Sequence, residues 1–401
     1  MQDHTQNSVI QKNEIILPKR DDTYMEVRHI VLKGNNKDIG KAIADIAKEN
    51  YGVKLLPFIN QANRKTREEY IAKHDQILSQ RMKGVEESFQ LDTNHNFNTS
   101  LLMYDIGQAG CSAIFFPREY SANNHAFVAR NTDFYTANFA QFTNQGTGAG
   151  NNLISRNYAL EIYPEDEGYA SIVLGSMDLM SGIFDGLNSE GLAISCLVDQ
   201  NVAKEVKKDF DDAQGLAAQQ FSRLILEKAK TCQEAEAVAR NNQIYMIIDG
   251  FHYMVTDRSG TSLIIEFSEK DMSPIFTYIY NKPRVMTNHP VHKYPQVSDF
   301  PATDPEANYN TFNRFAKLNE YLIKNNGKKF SDKDGFDALS LVYGFCNDSS
   351  EGPSLNLPLR TLWPVITDLD NCSMKVKFYL NDGPDKTLNF SEIFKFRLEN
   401  K

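Results

Sequence analysis

The stretch Ala109–Phe116, AGCSAIFF, opens an apolar, strand-like run with a glycine followed directly by a cysteine, more than a quarter of the way into a chain of 401 residues. A free cysteine is a small hydrophobe that buries readily, so its place at the mouth of a strand is most often simple packing. Chemistry gives it a second reading. A thiol with an ordinary pKa of about 8.5 needs a base or a cation beside it to act at neutral pH. Cutting the bond between Gly110 and Cys111 would supply that base, because the freed α-amine of Cys111 titrates at about 7.7–8.0 and lies one residue's geometry from the sulfur. Glycine suits such a cut: no side chain shields its carbonyl, and its backbone reaches strained angles closed to other residues.

Beyond the cysteine, CSAIFFP (111–117) and HAFVARNTDFY (125–135) read as two strands joined by SANNH (121–125), whose asparagines tolerate the left-handed turn of a hairpin. Such a hairpin returns Arg130 and Asp133 to the cysteine. A guanidinium beside a thiol lowers its pKa, and a carboxylate can hold a protonated amine. Met alone, the two residues would read as a marginal surface ion pair.

Further out, the 110 residues before the cysteine read as mostly helical. A polar leader precedes one strand at 24–34, then come helical stretches over 36–63 and 65–90. After the hairpin, apolar runs at 160–164, 169–176, 181–188 and 191–198 are punctuated by glycine and asparagine as strands are. Amphipathic helices follow at 215–230 and 232–242 with a break near Thr231. A hairpin over 245–267 is closed by DRSG (257–260), and an antiparallel pair forms at 361–371 and 373–380. Strands interleaved with paired helices indicate an α+β fold with antiparallel sheets covered by helices.

Composition excludes several classes. Hydrophobic residues at 41% and charged residues at 24% are those of a globular protein, and a net charge of −9 with scattered basic residues offers nucleic acid no footprint. No apolar run reaches the roughly 18–20 residues of a membrane helix, so no integral membrane segment is expected. Five widely spaced cysteines without a CxxC pair argue against a disulfide framework and a zinc site, and neither a dinucleotide fingerprint nor a phosphate loop is present. No metal and no organic cofactor is expected for the chemistry. The start lacks a secretory signal; the compartment is cytoplasmic if Met1 is the native start and periplasmic or secreted if a signal has been removed.

Taken in order, GCSAI (110–114), ARNTDF (129–134), FDGLNSEGLAIS (184–195) and RVMTNHP (284–290) resemble the cysteine N-terminal nucleophile (Ntn) hydrolases of the linear amide C–N hydrolase superfamily. This superfamily takes in choloylglycine (bile-salt) hydrolases, penicillin V acylases, acid ceramidase-type amidases and the acyl-coenzyme A:isopenicillin N acyltransferases. The long segment before the cysteine is most similar to the acyltransferase branch. The resemblance implies a four-layer αββα sandwich, made as one precursor and cut into an N-terminal α chain (1–110) and a catalytic β chain (111–401) that stay together. It implies Cys111 as nucleophile with its α-amine as base, and Arg130 and Asp133 setting the charge around them. It further implies Asn188 and Asn288 lining an oxyanion hole and Arg314, in NTFNRFAKL (310–318), as a last charged site residue. The activity implied is hydrolysis of a small-molecule acyl amide, or acyl transfer from it, through a Cys111 thioester; acyl-coenzyme A is a cosubstrate only in the transferase variant, and a homo-oligomer is compatible. Two departures stand out: His289 and His292 invite a cysteine–histidine pair that the family does not use, and Trp363 stands where a small or hydroxylic residue is expected. The rivals are a non-catalytic binding protein that kept the fold and a cysteine peptidase with His289 as base.

Overall fold

The computed structural model describes residues 8–58, 60–104, 109–142, 151–199, 214–246, 250–301, 310–347 and 357–399. Two large sheets lie face to face. One runs in the order β1 (Ile10–Leu17), β2 (Glu26–Gly34), β5 (Arg156–Pro164), β6 (Ser171–Gly175), β7 (Ile183–Asn188), β8 (Ala193–Val198), β11 (Phe251–Thr256), β12 (Thr261–Phe267), β13 (Pro274–Tyr280). The other runs β14 (Arg284–Met286), β3 (Ala109–Phe116), β4 (Phe127–Tyr135), β16 (Leu359–Asp368), β17 (Ser373–Val376), β20 (Phe394–Arg397). Short β15 (Phe345–Cys346) adds to β16, and β9 (Leu216–Ala217) with β10 (Ile244–Tyr245) and β18 (Tyr379–Asp382) with β19 (Leu388–Phe390) form separate pairs. Pairing within the two large sheets is antiparallel except between β2 and β5.

The layer order follows from strand parity, since successive side chains face opposite sides of a sheet. In β3, Cys111, Ala113 and Phe115 join a core with Ile172, Leu174, Leu197, Met254 and Ile264 of the other sheet, whereas Ile114 and Phe116 join the helices. Those helices are α7 (Thr311–Lys324) and α8 (Asp332–Ser340), which contribute Phe315, Leu318, Phe336 and Leu339. On the far side, Leu160, Ile194 and Val255 pack against α1 (Asn36–Tyr51), α2 (Gln61–His74), α3 (Gln76–Ser88), α5 (Ala218–Lys228) and α6 (Cys232–Arg240). A one-turn α4 (Phe139–Phe142) follows β4. The result is the αββα sandwich expected of an Ntn hydrolase, and both faces of β3 are apolar because both are covered.

The hairpin that decides the fold has the expected form. Cys111 is paired with Thr132 and Ala113 with Arg130, and Asn124 takes the left-handed turn at φ 58°. The DRSG turn closes β11 and β12 with Gly260 at φ +91°, and Thr231 caps α6 by accepting from the Glu234 amide.

The N-terminal segment is more deeply built in than a helical leader. The polar start includes β1, an edge strand paired with β2, and β2 in turn pairs along its length with β5. Alternation is weak in β1 because register shifts between Ile10 and Lys12 and between Ile15 and Leu17 interrupt it, which hides it from a hydrophobic pattern. The helical stretch over 65–90 is broken at Asp75, whose side chain accepts from the Leu78 amide and starts α3. α1 and α3 cross at glycines: a Cβ on Gly40 would lie 2.2 Å from the Arg81 carbonyl oxygen, and one on Gly84 2.1 Å from that of Lys37. Arg81 then reaches across to Glu227 of α5, and Arg67 donates to Gln220 at 2.9 Å, all four residues buried. The start of the expected 245–267 hairpin, at 247–249, lies outside the described residues, as do residues 1–7 of the leader. No helix among the described residues is long and apolar enough to cross a membrane.

Candidate active site

Cys111 lies on β3, between β14 and β4, with no exposed surface. Four elements converge on it. From the neighbouring strand, Arg130 aims inward with Ala113 and brings Nη2 to 2.9 Å from the sulfur. The same Nη2 donates to the Cys196 carbonyl oxygen at 2.9 Å, while Nη1 donates to Asp185 Oδ2 at 2.7 Å and to the Thr132 hydroxyl. A guanidinium spread over four acceptors has little freedom to leave the thiol.

Asp133 is three residues further along the same strand, and that odd separation turns it to the opposite face. It stands across from Gly110 in the ladder and accepts from the Thr361 hydroxyl of β16 at 2.5 Å. Its second oxygen, Oδ2, is buried without a hydrogen-bond partner among the described residues. Arg130 and Asp133 thus flank Cys111 from two sides, the cation at the sulfur and the carboxylate at the peptide before it.

Asn288, just past β14, accepts from the Cys111 backbone amide through Oδ1 at 2.9 Å, and its Nδ2 donates to the Val198 carbonyl at 2.7 Å. Arg314, on α7, completes the ring. Its Nη2 donates to Asn288 Oδ1 at 2.7 Å, and its Nη1 to Ser112 Oγ at 2.7 Å and to the Cys111 carbonyl oxygen.

Burial shapes the electrostatics. It pushes the Cys111 thiol up to about 11 although Arg130 pulls the other way, so in the intact chain the sulfur is held as a thiol at neutral pH. Burial also lifts the Asp133 carboxyl to about 6, against the attraction of Arg314 and the Thr361 hydrogen bond. Burial opposes the charge on Arg130, and Asp185 with the other neighbours together outweighs it, so the guanidinium stays charged.

Five of the residues singled out in the sequence, Cys111, Arg130, Asp133, Asn288 and Arg314, therefore meet at one place. Asn188 does not. Its Nδ2 donates to the Leu226 and Ala229 carbonyls at 2.9 and 2.7 Å, and its Oδ1 accepts from the amides of Glu190 and Leu192. It fastens the β7–β8 turn to the end of α5, on the helix side of the sheet, away from the sulfur. Asp185, in the same motif, has the parity that faces inward, and this is the carboxylate the sequence reading passed over. Trp363 braces it: the indole Nε1 donates to Asp185 Oδ2 at 3.2 Å and the ring meets Phe184 edge-on at 5.5 Å. The unexpected tryptophan thus supports the cation that touches the thiol.

His289 stands apart from this chemistry. Its ring is enclosed by Phe300, Phe312 and Phe315, its Nδ1 faces the hydroxyls of Thr287 and Thr311 at 3.2 Å, and burial pushes its pKa down to about 3.

Comparison with known proteins bears on this arrangement. The family model of linear amide C–N hydrolases, choloylglycine hydrolase family, matches residues 111–324. The chain belongs to that family. It is therefore a hydrolase of the linear amide C–N class and of the Ntn type. Solved structures similar to it include a mutant of the conjugated bile acid hydrolase of Clostridium perfringens, 14% identical over 72% of this chain and 97% of that one, with a TM-score of 0.47. Another is the penicillin V acylase of Agrobacterium tumefaciens, 17% identical over 72% of this chain and 86% of that one, with a TM-score of 0.46. No curated protein matches the sequence significantly.

Proposed function

We propose that the protein is an autoprocessing amidase that cleaves the Gly110–Cys111 peptide bond and then hydrolyses small linear acyl amides through a Cys111 thioester. The observation that carries this reading is the paired hold on one residue: Arg130 on the sulfur of Cys111 and Asn288 on its backbone nitrogen. Its family match begins at the residue that the cut would make N-terminal.

In the first step the Cys111 sulfur attacks the Gly110 carbonyl carbon. The carbon–nitrogen bond breaks, the nitrogen takes the thiol proton, and water then hydrolyses the thioester to leave a Gly110 carboxylate and a free thiol. The new amine keeps its place against Asn288 Oδ1, with Asp133 opposite. In turnover that amine takes the thiol proton, the thiolate attacks the amide carbonyl, and the ammonium returns a proton to the departing amine. Water releases the acid. A carboxamide has two Nδ2 hydrogens, and Asn288 spends one on Val198, leaving the other for the oxyanion. The N-terminal chain stays in place through β2 and the Arg81–Glu227 pair. The long segment before the cysteine favours transfer to an acceptor other than water as the variant activity.

Denaturing electrophoresis tests the reading. Wild-type protein is expected to resolve into residues 1–110 and 111–401, and Cys111→Ala to stay whole. Wild-type protein that hydrolyses amides while uncut would overturn it.

A further inference from the structure

A second polar cluster lies between the sheets, beside the Asn288 segment and outside the reacting groups. His252 on β11, Glu266 on β12 and Asp199 just after β8 are all buried, and each brings a ligand-type atom within 4.8 Å of the others. Glu266 is fixed in orientation, because one carboxylate oxygen accepts from the Val291 amide at 2.6 Å and the other from the His292 amide at 2.9 Å. His292 also turns its Nδ1 to 3.2 Å from Glu266 Oε2. His252 is the unexplained member. Its ring has no exposed surface, neither nitrogen has a hydrogen-bond partner among the described residues, and Nδ1 faces Glu266 Oε1 at 3.8 Å. A fully buried imidazole that makes no hydrogen bond is costly and calls for an occupant that satisfies it. Two ligands bound to zinc at about 2.0 Å and at the tetrahedral angle stand roughly 3.3 Å apart, and His252 Nδ1 and Glu266 Oε1, now 3.8 Å apart, need only a small closure to reach that spacing.

We propose that Asp199, His252 and Glu266 form a binding site for a divalent transition-metal ion such as zinc. An imidazole beside two carboxylates suits ions of intermediate softness better than calcium or magnesium. The backbone amides on Glu266 supply the outer hydrogen bonds that orient a metal ligand, and half-buried His292 gives the side from which an ion enters. Arg284, buried on β14, is a further cation in the field of Glu266. The role is structural. Val198, whose carbonyl holds Asn288, directly precedes Asp199, and Glu266 holds the two residues that follow Pro290, so the ion clamps the Asn288 segment at both ends.

Metal content of the tag-free full chain tests this. After loading with Zn²⁺ and gel filtration, the wild type is expected to retain about one equivalent, and Co²⁺ in its place to give visible d–d absorption. His252→Ala and Glu266→Gln are expected to weaken retention at least about 100-fold. His95→Ala, which removes a ligand from the separate half-buried Glu68–Glu86–His95 group, is expected to leave the ion in place. A wild type that keeps no ion, or an ion lost with His95 and kept without His252, overturns the proposal. If the buried variants fail to fold, the wild type decides alone: Zn²⁺ must raise its Tm by a few degrees and a chelator reverse the rise, and an unchanged Tm counts against the site.

Discussion

Replacing Asp185 by alanine tests how Arg130 is held against the sulfur. The pair is dry: the Arg130 side chain is 0% and that of Asp185 2% exposed, with 2.7 Å between Nη1 and Oδ2. Unit charges about 4 Å apart attract by about 4 kcal/mol at an effective dielectric constant near 20. Removing one partner from such a pair typically costs about 3–5 kcal/mol, because the other is left charged and unpaired. Asp185→Ala is therefore expected to lose about 3–5 kcal/mol of stability. Exchanging both members for apolar residues, Arg130→Met with Asp185→Leu, should recover at least half of the loss. The measurement is urea unfolding in a Cys111→Ala background, where the chain stays whole and unfolding is unimolecular. Circular dichroism and the fluorescence of Trp363, the single tryptophan, follow it. In the chain that keeps Cys111, restored stability is not expected to restore turnover, since the double variant has no cation at the sulfur. A loss below about 1 kcal/mol, or single effects that simply add, would refute the claim that the two residues act as one unit.

Three further outcomes follow from the site. Asp133→Asn mimics the protonated carboxyl, which burial favours. The folded protein binds that proton more tightly than the unfolded chain, so this stabilisation is present below pH 3.8 and is lost as pH rises through about 6. At pH 8 the variant should be more stable by up to about 3 kcal/mol yet inactive, and at pH 3 no more stable, as read by unfolding at the two pH values; equal stability at pH 8 refutes the shift. Asn188→Ala should cost about 2–4 kcal/mol through its lost backbone hydrogen bonds, while kcat per folded molecule stays near normal; a hundredfold fall in kcat would return Asn188 to the site. His289→Gln should leave both the rate of thiol alkylation and the pH profile of turnover unchanged, and a lost limb in that profile would revive a cysteine–histidine mechanism.

Much of this architecture was legible because it depends on local pattern and chain order. The hairpin turn at 121–125 dictates that Arg130 comes back to Cys111, and glycine and asparagine mark the strands of the larger sheet. What was hidden depends on which face a residue takes. Asn188 and Asp185 share one motif, and only the pairing of β7 shows that Asp185 looks inward while Asn188 holds the turn. Arg130 and Asp133 were expected back at the cysteine; their odd spacing places them on opposite faces, one at the sulfur and the other at the peptide before it. Thr361 and Trp363 reach the site from the far end of the chain through pairing of β16 with β4, a long-range contact that leaves no local trace. β1 was missed because two irregularities in its pairing with β2 break its alternation.

The most direct test is the intact mass of the polypeptide that carries the acyl group after a brief incubation with a panel of acyl amides. The account predicts an adduct on a chain spanning residues 111–401, with the acyl group in thioester linkage on Cys111 and a free α-amine on the same residue. An acyl group carried by a whole 401-residue chain in active protein would contradict it.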